Sequence, residues 1–279
     1  MSDQAPAGPN ALTRAGRLVQ QRAGPDGYAA FIPAPLPPVP PLDLSGRRGG
    51  LLERASSSLG RLDGISRGID PDRLLYMYIR KEAVLSSQIE GTQLTLAELL
   101  ESENEEAPAH RGGDIQEVSR YVSALRYGVQ QLNDGYPISL RLIREIHGVL
   151  MTSGCGAQHV PGEFRRTQNW IGGTRPGTAR FVPPPPHELL RVLGELERFI
   201  WEGDATPIVK AGLVHAQFEI IHPFLDGNGR LGRLLISMML CADKALAQPF
   251  LYLSLYFKQY RDDYYRALQA IRSDGDWEQ

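Results

Sequence analysis

Apolar residues recur at helical spacing along most of this chain. Side chains three and four positions apart share one face of a helix, so this spacing predicts amphipathic helices that bury that face. The pattern predicts helices over residues 44–64, 71–91, 95–102, 114–133, 139–151, 187–202, 206–220, 228–247 and 254–273. We therefore expect a mainly α protein with a helical bundle core, preceded by an N-terminal helical region.

The first 43 residues depart from this pattern because they are rich in Ala, Gly and Pro. Proline fixes φ and favours an extended, polyproline-like path. Six prolines stand close together at positions 33, 35, 37, 38, 40 and 41. We expect a Pro-rich extended strap that lies over the folded body, and a ligand for an SH3-type domain is the alternative.

A second departure lies at residues 164–182. Two β-favouring pieces, 164–171 and 179–182, flank the turn-forming sequence GGTRPG at 172–177. This arrangement predicts one β-hairpin, which the prolines at 183–186 end. The domain organisation we expect is a strap over 1–43, a helical region over 44–110 and a main domain over 111–279.

Composition narrows the class of protein. The chain has 279 residues, of which 42% are hydrophobic, and its net charge is −2. This balance favours neither nucleic acid nor an anionic membrane as the main partner. Cys155 and Cys241 are too few for a disulfide framework, and no apolar run is long enough to cross a bilayer. Because the N-terminus lacks a signal-peptide pattern, we expect a cytoplasmic protein.

The segment HPFLDGNGRLGR at 222–233 carries the candidate chemistry. A glycine-rich turn before a helix presents backbone N–H groups and a partial positive charge to phosphate oxygens. Asp226 is a candidate ligand for a divalent metal, and His222 is a candidate base near neutral pH. Arg230 and Arg233 are three positions apart and share one helix face. Together these residues predict phosphoryl or nucleotidyl transfer.

Simpler interpretations of this segment do not account for its residues. Gly227, Gly229 and Gly232 spell the dinucleotide pattern G-x-G-x-x-G, but a predicted helix precedes them and no strand–helix alternation follows. A Walker loop is absent from the sequence, and an ordinary interhelix turn would not require two arginines beside a histidine. The other histidines show no metal-ligand spacing and were given no role: His110, His147, His159, His187 and His215. Six aromatic residues after position 251 were expected to be mostly core, with one available to face a purine: Tyr252, Tyr256, Phe257, Tyr260, Tyr264 and Tyr265.

These residues resemble the Fic family. The family pattern H-P-F-x-[DE]-G-N-G-R-x-x-R is matched at every position from His222 to Arg233. Upstream, SSQIEG at 86–91 is similar to the family's inhibitory motif [ST]-x-x-x-E-[GN]. The likeness extends over roughly residues 28–273, and it implies a Fic-type helical core in which the hairpin at 164–182 is the flap.

The resemblance implies a protein adenylyltransferase, or AMPylase, which transfers AMP from ATP to a Ser, Thr or Tyr hydroxyl of a target protein or of itself. His222 would be the general base, and Asp226 would hold Mg²⁺. The ATP phosphates would contact Gly227, Asn228, Gly229, Arg230, Gly232 and Arg233. The flap residues nearest nucleotide and target would be Ile171, Gly172, Gly173 and Thr174. Tyr264 would lie beside adenine, and Arg272 stands where relatives often have Asn.

The inhibitory motif implies regulation through Ser86, Glu90 and Gly91. Glu90 would pair with Arg233 and deprive the γ-phosphate of its partner. If His222 is the base, activity should fall as the pH drops through the pKa of the imidazole, with a change expected between pH 8 and 5.

Other functions stay open. The chain could be a nucleotide-sensing regulator with little catalysis, a transferase with another donor nucleotide, or an enzyme that also removes AMP. A homodimer is possible, and neither nucleic acid nor a membrane is an expected partner. Many relatives carry a winged-helix domain after this region, for which the residues before Gln279 leave no room, so either the protein is short or the sequence is truncated.

Overall fold

A computed structural model describes residues 14–22, 27–67, 71–103, 112–152 and 160–279. Several predictions lie outside these ranges: the start of the strap, the division near residue 110, and the assignments of Cys155, His110 and His159. Within them the chain is mainly helical, as predicted. None of the helices described combines the length and the apolar character needed to cross a membrane.

The helices lie close to their predicted positions. Their bounds are α1 Gly46–Ser66, α2 Pro71–Glu90, α3 Leu96–Ser102, α4 Gly112–Asn133, α5 Leu140–Met151, α6 Pro186–Glu202, α7 Pro207–Ile221, α8 Asn228–Ala242, α9 Leu253–Gln259 and α10 Arg261–Asp274.

Two helix predictions near the C-terminus are corrected. The helix predicted to reach residue 247 ends at Ala242, because Lys244 adopts a left-handed backbone conformation and the next N–H groups return to the Leu240 carbonyl. The helix predicted over 254–273 is two helices, since Tyr260 leaves the helical region with φ −114° and ψ 45°.

The N-terminal segment contains a β-hairpin that the composition of residues 1–43 concealed. Strand β1, Gly16–Arg22, pairs with β2, Tyr28–Pro33, in antiparallel register. The clustered prolines begin only at Pro33, so the residues before it keep the N–H groups that a ladder needs. The predicted strap thus begins with a β-hairpin, which its composition did not indicate.

The predicted hairpin at 164–182 closes through one antiparallel bridge between Ile171 and Phe181, with N–O distances of 2.8 and 3.2 Å. Its turn is irregular because Gly172 and Gly173 both have positive φ, and residues 176–178 form a 3-10 turn. The regular ladder of the described residues is thus β1–β2, and the flap is a loop held at its base.

Helices α7 and α8 form the centre of the core. They pack against each other, α2, α4 and α5 contact α8, and α6 and α10 contact α7. Almost every side chain of both helices is buried. The loop between them therefore emerges from the most rigid part of the molecule.

Candidate active site

The loop joining α7 to α8 carries most of the candidate residues. It begins at His222, which has the left-handed values φ 49° and ψ 60°, and ends at Gly227, with φ 76°. A residue with a Cβ pays about 1–2 kcal/mol for this conformation. Neighbouring groups must therefore hold the backbone of His222 in place.

Two arginines and one asparagine hold the end of α7. Arg165 donates from Nε to the His222 carbonyl at 3.0 Å and from Nη2 to the Ile221 carbonyl at 3.4 Å. Asn169 also donates to the His222 carbonyl, at 3.1 Å, and Arg272 donates to the carbonyl of Glu219 at 3.1 Å. Cations at a helix C-terminus satisfy its free carbonyls and oppose its dipole. The left-handed turn is stabilised in this way.

Phe224 anchors the middle of the loop. Its ring is fully buried and stacks on His147, with a centroid distance of 3.7 Å. Its backbone N–H and carbonyl both bond the side chain of Asn228, at 2.9 and 2.8 Å. His147 accepts from the Gly162 N–H at Nδ1, so its Nε2 carries the hydrogen that faces the Asp226 carbonyl at 3.1 Å. The loop is therefore held by side chains on both of its sides.

These contacts show that the predicted phosphate-binding residues do not all face the same side of the loop. The Asn228 side chain lies on the loop backbone, and Gly232 faces α7, where a Cβ would lie 2.7 Å from Glu219 Oε1. A Cβ on Gly227 would lie 2.8 Å from Met151 Sδ. Gly229 alone of these glycines faces the inhibitory segment, since a Cβ there would lie 2.3 Å from Glu90 Oε1.

Arg233 is a buried cation of the site, held by three hydrogen bonds. Its side chain is 1% exposed, and it donates to Glu90 Oε1 at 2.6 Å, to Ser86 Oγ at 2.9 Å and to the Ser86 carbonyl at 3.0 Å. Burial disfavours its charge, but Glu90, together with Tyr264 and Glu219, outweighs burial and raises the pKa of Arg233 above its usual value. Gly91, with φ 117°, lets the chain turn away directly after Glu90. The sequence-predicted pair thus lies at the start of α8.

Arg230 and Asp226 line a second part of the site. Arg230 pairs with Glu117 at 3.0 Å and lies 3.6 Å from Asp226. With Glu90 and Thr92 these residues line a recess of about 350 Å³. The side chain of Asp226 is 42% exposed at this recess, and its Oδ1 accepts from the Gly227 N–H at 2.6 Å.

Asp226 fits the usual role of a protein ligand for Mg²⁺ at phosphates. No group of three or more His, Cys, Asp or Glu side chains within the described ranges could hold a metal by itself. Mg²⁺ at a nucleotide ordinarily takes one or two carboxylates and completes its shell with phosphates and water. A single accessible carboxylate beside the start of α8 satisfies that requirement.

The imidazole of His222 is neutral over the physiological pH range. Burial, followed by the charges of Arg272 and Arg165, lowers the pKa of His222 to about 3. This pKa lies below the range between pH 8 and 5, so a loss of activity within that range would not follow from protonation of His222. The side chain is 20% exposed, and its Nδ1 lies 4.0 Å from Glu219 Oε2.

Tyr264 lies behind Arg233 in a group of stacked rings. Its hydroxyl is 2.9 Å from His215 Nε2, and its ring lies 4.5 Å from that of Phe257. Burial lowers the pKa of His215 to about 4, so this imidazole is also neutral. The expectation that the C-terminal aromatic residues are mostly core is wrong for three of them: Tyr256, Tyr260 and Tyr265, which are 59%, 42% and 37% exposed.

The flap is joined to both ends of the chain. Phe31 of β2 donates its N–H to the Val182 carbonyl at 2.8 Å. The guanidinium of Arg272 lies over the ring of Phe181 at 4.1 Å. Gly172, Gly173 and Thr174 are exposed beyond the Ile171–Phe181 bridge, which holds Ile171 itself.

Four residues of the site were missed from the sequence: His147, Arg165, Asn169 and Glu219. Three of them contact the loop from remote positions in the chain, and no local pattern marks them. Glu219 has a recognisable signal, because it is a single carboxylate within the apolar run of α7, three positions before His222.

Two sequence profiles of known families match this chain. The sequence profile "Fic/DOC family N-terminal" matches residues 50–130, and "Fic/DOC family" matches residues 137–240. Protein adenylyltransferase Fic of Drosophila grimshawi is 32% identical over an alignment of 198 residues, and the match covers 67% of this chain and 37% of that protein. The chain thus spans a little over a third of the length of that curated relative.

Solved structures have the same fold. A Fic family protein from Desulfovibrio desulfuricans aligns with a TM-score of 0.68 and 23% identity, covering 84% of this chain and 69% of that one. A Fic domain containing signaling protein from Bacteroides thetaiotaomicron aligns with a TM-score of 0.61 and 22% identity, covering 77% and 80%. This chain belongs to the Fic/DOC family.

Proposed function

We propose that the protein is an adenylyltransferase that moves AMP from ATP to a Ser, Thr or Tyr hydroxyl of a target protein. The observation that carries the proposal is the position of the Glu90 carboxylate, 2.6 Å from Arg233 and against the Cα of Gly229. An anion already lies where a helix N-terminus and a buried guanidinium together favour one. A terminal phosphate is the natural competitor for that position. The names of the curated Drosophila relatives support AMP as the transferred group.

The reaction requires positioning and one base. The neutral imidazole of His222 takes the proton of the target hydroxyl, whose oxygen bonds to the α-phosphorus while the bond from that phosphorus to the bridging oxygen of the β-phosphate breaks. Pyrophosphate leaves with the electron pair of that bond. The N–H groups at the start of α8 and the charge of Arg230 stabilise the negative charge that develops. Tyr264 and the flap tip, residues 171–174, would hold the nucleoside and the target.

Mg²⁺ fits this scheme through Asp226, whose carboxylate is accessible in the recess beside Arg230. The ion would neutralise charge on the α- and β-phosphates. Asp226 is itself fixed by the Gly227 N–H at 2.6 Å, and its backbone carbonyl faces His147 at 3.1 Å. The chain thus holds the carboxylate in one orientation.

In the same proposal Glu90 is an intramolecular inhibitor. Charge-assisted hydrogen bonds contribute about 1.5–3 kcal/mol, and the partial exposure of Glu90 favours the lower end of that range. Displacing Glu90 would therefore cost the nucleotide roughly tenfold in affinity, since 1.4 kcal/mol is a factor of ten. Ser86 would keep Arg233 oriented in both states, because it bonds the guanidinium from the other side.

The first prediction concerns Glu90→Gly. We expect this variant to incorporate at least tenfold more AMP into itself or into lysate proteins, because Arg233 becomes free for the γ-phosphate. The measurement is labelling with [α-³²P]ATP together with intact-mass analysis. Glu202→Gly is the matched control, since Glu202 is also the last residue of its helix and is exposed. His222→Ala in the Glu90→Gly background should abolish labelling.

The occupied Arg233 also favours a second candidate function, a nucleotide-sensing regulator without transfer. The two functions separate in the same assay with ATP, UTP, GTP and CTP. Nucleotide binding by Glu90→Gly without any adduct would refute the transferase and support the sensor. A UMP, GMP or CMP adduct that exceeds the AMP adduct would refute ATP as the donor.

A further inference from the structure

Glu219 and His222 lie one turn apart at the end of α7, and the carboxyl group of Glu219 faces the imidazole of His222. Nδ1 of His222 is 4.0 Å from Oε2 of Glu219. The second carboxyl oxygen, Oε1, is buried without a hydrogen-bond partner among the residues described. Nδ1 makes no hydrogen bond of good geometry there, although the backbone carbonyl of Glu219 also faces the imidazole. Buried polar atoms rarely stay unpaired, so each such case calls for an explanation.

The backbone at this point is fixed, whereas the carboxyl group is not. Arg272 bonds the Glu219 carbonyl, and Arg165 bonds that of His222. A carboxyl group rotates about its last torsion at little cost. A movement of about 1 Å would bring Oε2 to the hydrogen-bond distance of about 2.9 Å from Nδ1.

The charges around Glu219 come from three helices, and the phenol of Tyr264 on α10 also faces it. Arg233 of α8 and Arg272 of α10 favour its ionised form, whereas Glu90 of α2 disfavours it. His222, beyond the end of α7, is neutral. Burial is the largest influence and raises the pKa of Glu219 to about 7. This carboxyl group therefore changes its charge within the physiological pH range.

We propose that Glu219 is a positioning residue for His222, whose carboxylate accepts the Nδ1–H and so leaves the lone pair on Nε2 facing the substrate. A neutral imidazole has one N–H, and the group that pairs with it decides which nitrogen remains a base. A carboxylate can only accept, so it selects the Nδ1–H tautomer. This inference extends the proposed function, and its catalytic part rests on that function.

The proposal also gives a different cause for pH dependence. When Glu219 is protonated, its O–H can donate to Nδ1, and the hydrogen of the imidazole then moves to Nε2, where no base remains. Activity should therefore fall as the pH drops from 8 to 6, through the titration of Glu219 and not of His222.

The test reads the tautomer directly. Long-range ¹H–¹⁵N NMR of ¹⁵N-histidine-labelled protein at pH 8 reports which nitrogen of His222 carries hydrogen, and the loss of signals in His222→Ala assigns them. We expect hydrogen on Nδ1 in the wild type. In Glu219→Gln, which keeps the shape of the side chain, the amide can donate to Nδ1, and we expect the population with hydrogen on Nε2 to rise. Glu219→Leu is a second variant without a polar group.

Hydrogen on Nε2 in the wild type at pH 8, or the same tautomer in wild type and both variants, would overturn the proposal. Neither result depends on turnover, so a missing AMP adduct would refute the proposed function and leave this test intact.

The kinetic arm uses single-turnover labelling in the Glu90→Gly background. Glu219→Gln should reduce the rate roughly 10- to 100-fold, with little change in the KM for ATP, and should flatten the profile between pH 6 and 8. An unchanged rate and an unchanged profile would overturn the catalytic part of the inference.

Discussion

At the scale of single residues, the absence of a side chain at Gly229 decides what can lie at the start of α8. A Cβ there would lie 2.3 Å from Glu90 Oε1 and 3.1 Å from Arg233 Nη1. The space is thus filled by the Glu90 carboxylate or, in the proposed function, by phosphate oxygens. Gly229 is also helical, where alanine would ordinarily be preferred by about 1 kcal/mol.

We predict that Gly229→Ala folds but binds MgATP at least tenfold more weakly than its parent in the Glu90→Gly background, since the methyl group occupies the phosphate position. Isothermal titration calorimetry measures the affinity. Gly212→Ala is the control, because Gly212 is an exposed helical glycine with open space around its Cβ position. Equal ATP affinity in both variants would contradict the assignment of Gly229.

The sequence predicted the residues of the loop but not the residues that hold it. His222 to Arg233 are contiguous, and Glu90 belongs to a second short motif, so both could be recognised locally. Arg165 bonds a carbonyl 57 positions away, and His147 one 79 positions away. Such contacts depend on how the helices pack, which periodicity alone does not fix.

At the scale of elements, one face of α2 connects Glu90 to the C-terminal helices. Glu82, Ser86 and Glu90 are four positions apart, so they share this face. Glu82 is buried and accepts from the backbone N–H and the hydroxyl of Ser254, at the start of α9. Lys258 of α9 bonds Gln88 at 2.7 Å. Helix α9 therefore supports the position of α2.

Glu82 makes the stability of this contact pH-dependent. Burial raises the pKa of Glu82 to about 7, above that of an exposed glutamate. The folded state then binds this proton more tightly than the unfolded state, so the free energy of unfolding falls as the pH rises from about 4.5 to 7 and stays reduced above it. The loss from this group is at most about 3 kcal/mol, at 1.36 kcal/mol per pKa unit.

We predict that Glu82→Gln stabilises the protein at pH 8 relative to the wild type, by up to about 3 kcal/mol, and has a much smaller effect at pH 5. Urea denaturation at the two pH values measures the difference. Glu101→Gln, at an exposed position of α3, should show no such pH dependence. Equal effects of Glu82→Gln at both pH values would show that this carboxyl group does not titrate as described.

The sequence predicted which segments are helical better than it predicted where each helix ends. Apolar spacing continues through Tyr260, so it does not reveal the break between α9 and α10. The flap lacks a ladder because its two left-handed glycines and Pro176 do not suit regular pairing, although the flanking residues favour strands. Local backbone geometry decided these cases.

At the scale of the whole molecule, the two ends of the described chain are joined. Arg14 forms a two-pronged ion pair with Glu278, each N–O distance being 2.8 Å, and also donates to the carbonyls of Pro40 and Pro41. Glu278 accepts from the Asp43 N–H at 3.1 Å. One ion pair therefore links the β-hairpin, the proline-rich stretch and the residues after α10.

We predict that Arg14→Ala lowers the free energy of unfolding by about 1–2 kcal/mol, because it leaves a half-buried carboxylate and two carbonyls without their donor. The urea midpoint measures the loss. Arg191→Ala is the control, since Arg191 pairs with Glu188 and Glu195 on an exposed helix face, where such pairs contribute less than about 1 kcal/mol. Equal losses of unfolding free energy in the two variants would show that the contact between the ends adds no more stability than an exposed ion pair does.

The helical architecture could be predicted from the spacing of apolar residues, whereas the contact between the two ends of the chain could not. Helical spacing is a local property, and a pair such as Arg14 and Glu278 is separated by 264 positions. The division into a strap, a helical region and a main domain stays a prediction.

The way the end of α7 is held has a consequence for how the protein responds to acid. Two of the three side chains that hold it are guanidinium groups, and that of Arg165 keeps a pKa of about 10 even when buried. Mild acidification thus leaves these guanidinium groups charged. The buried carboxyl groups behind them change their charge instead. The fold thus separates the groups whose charge stays constant from the groups that respond to protons.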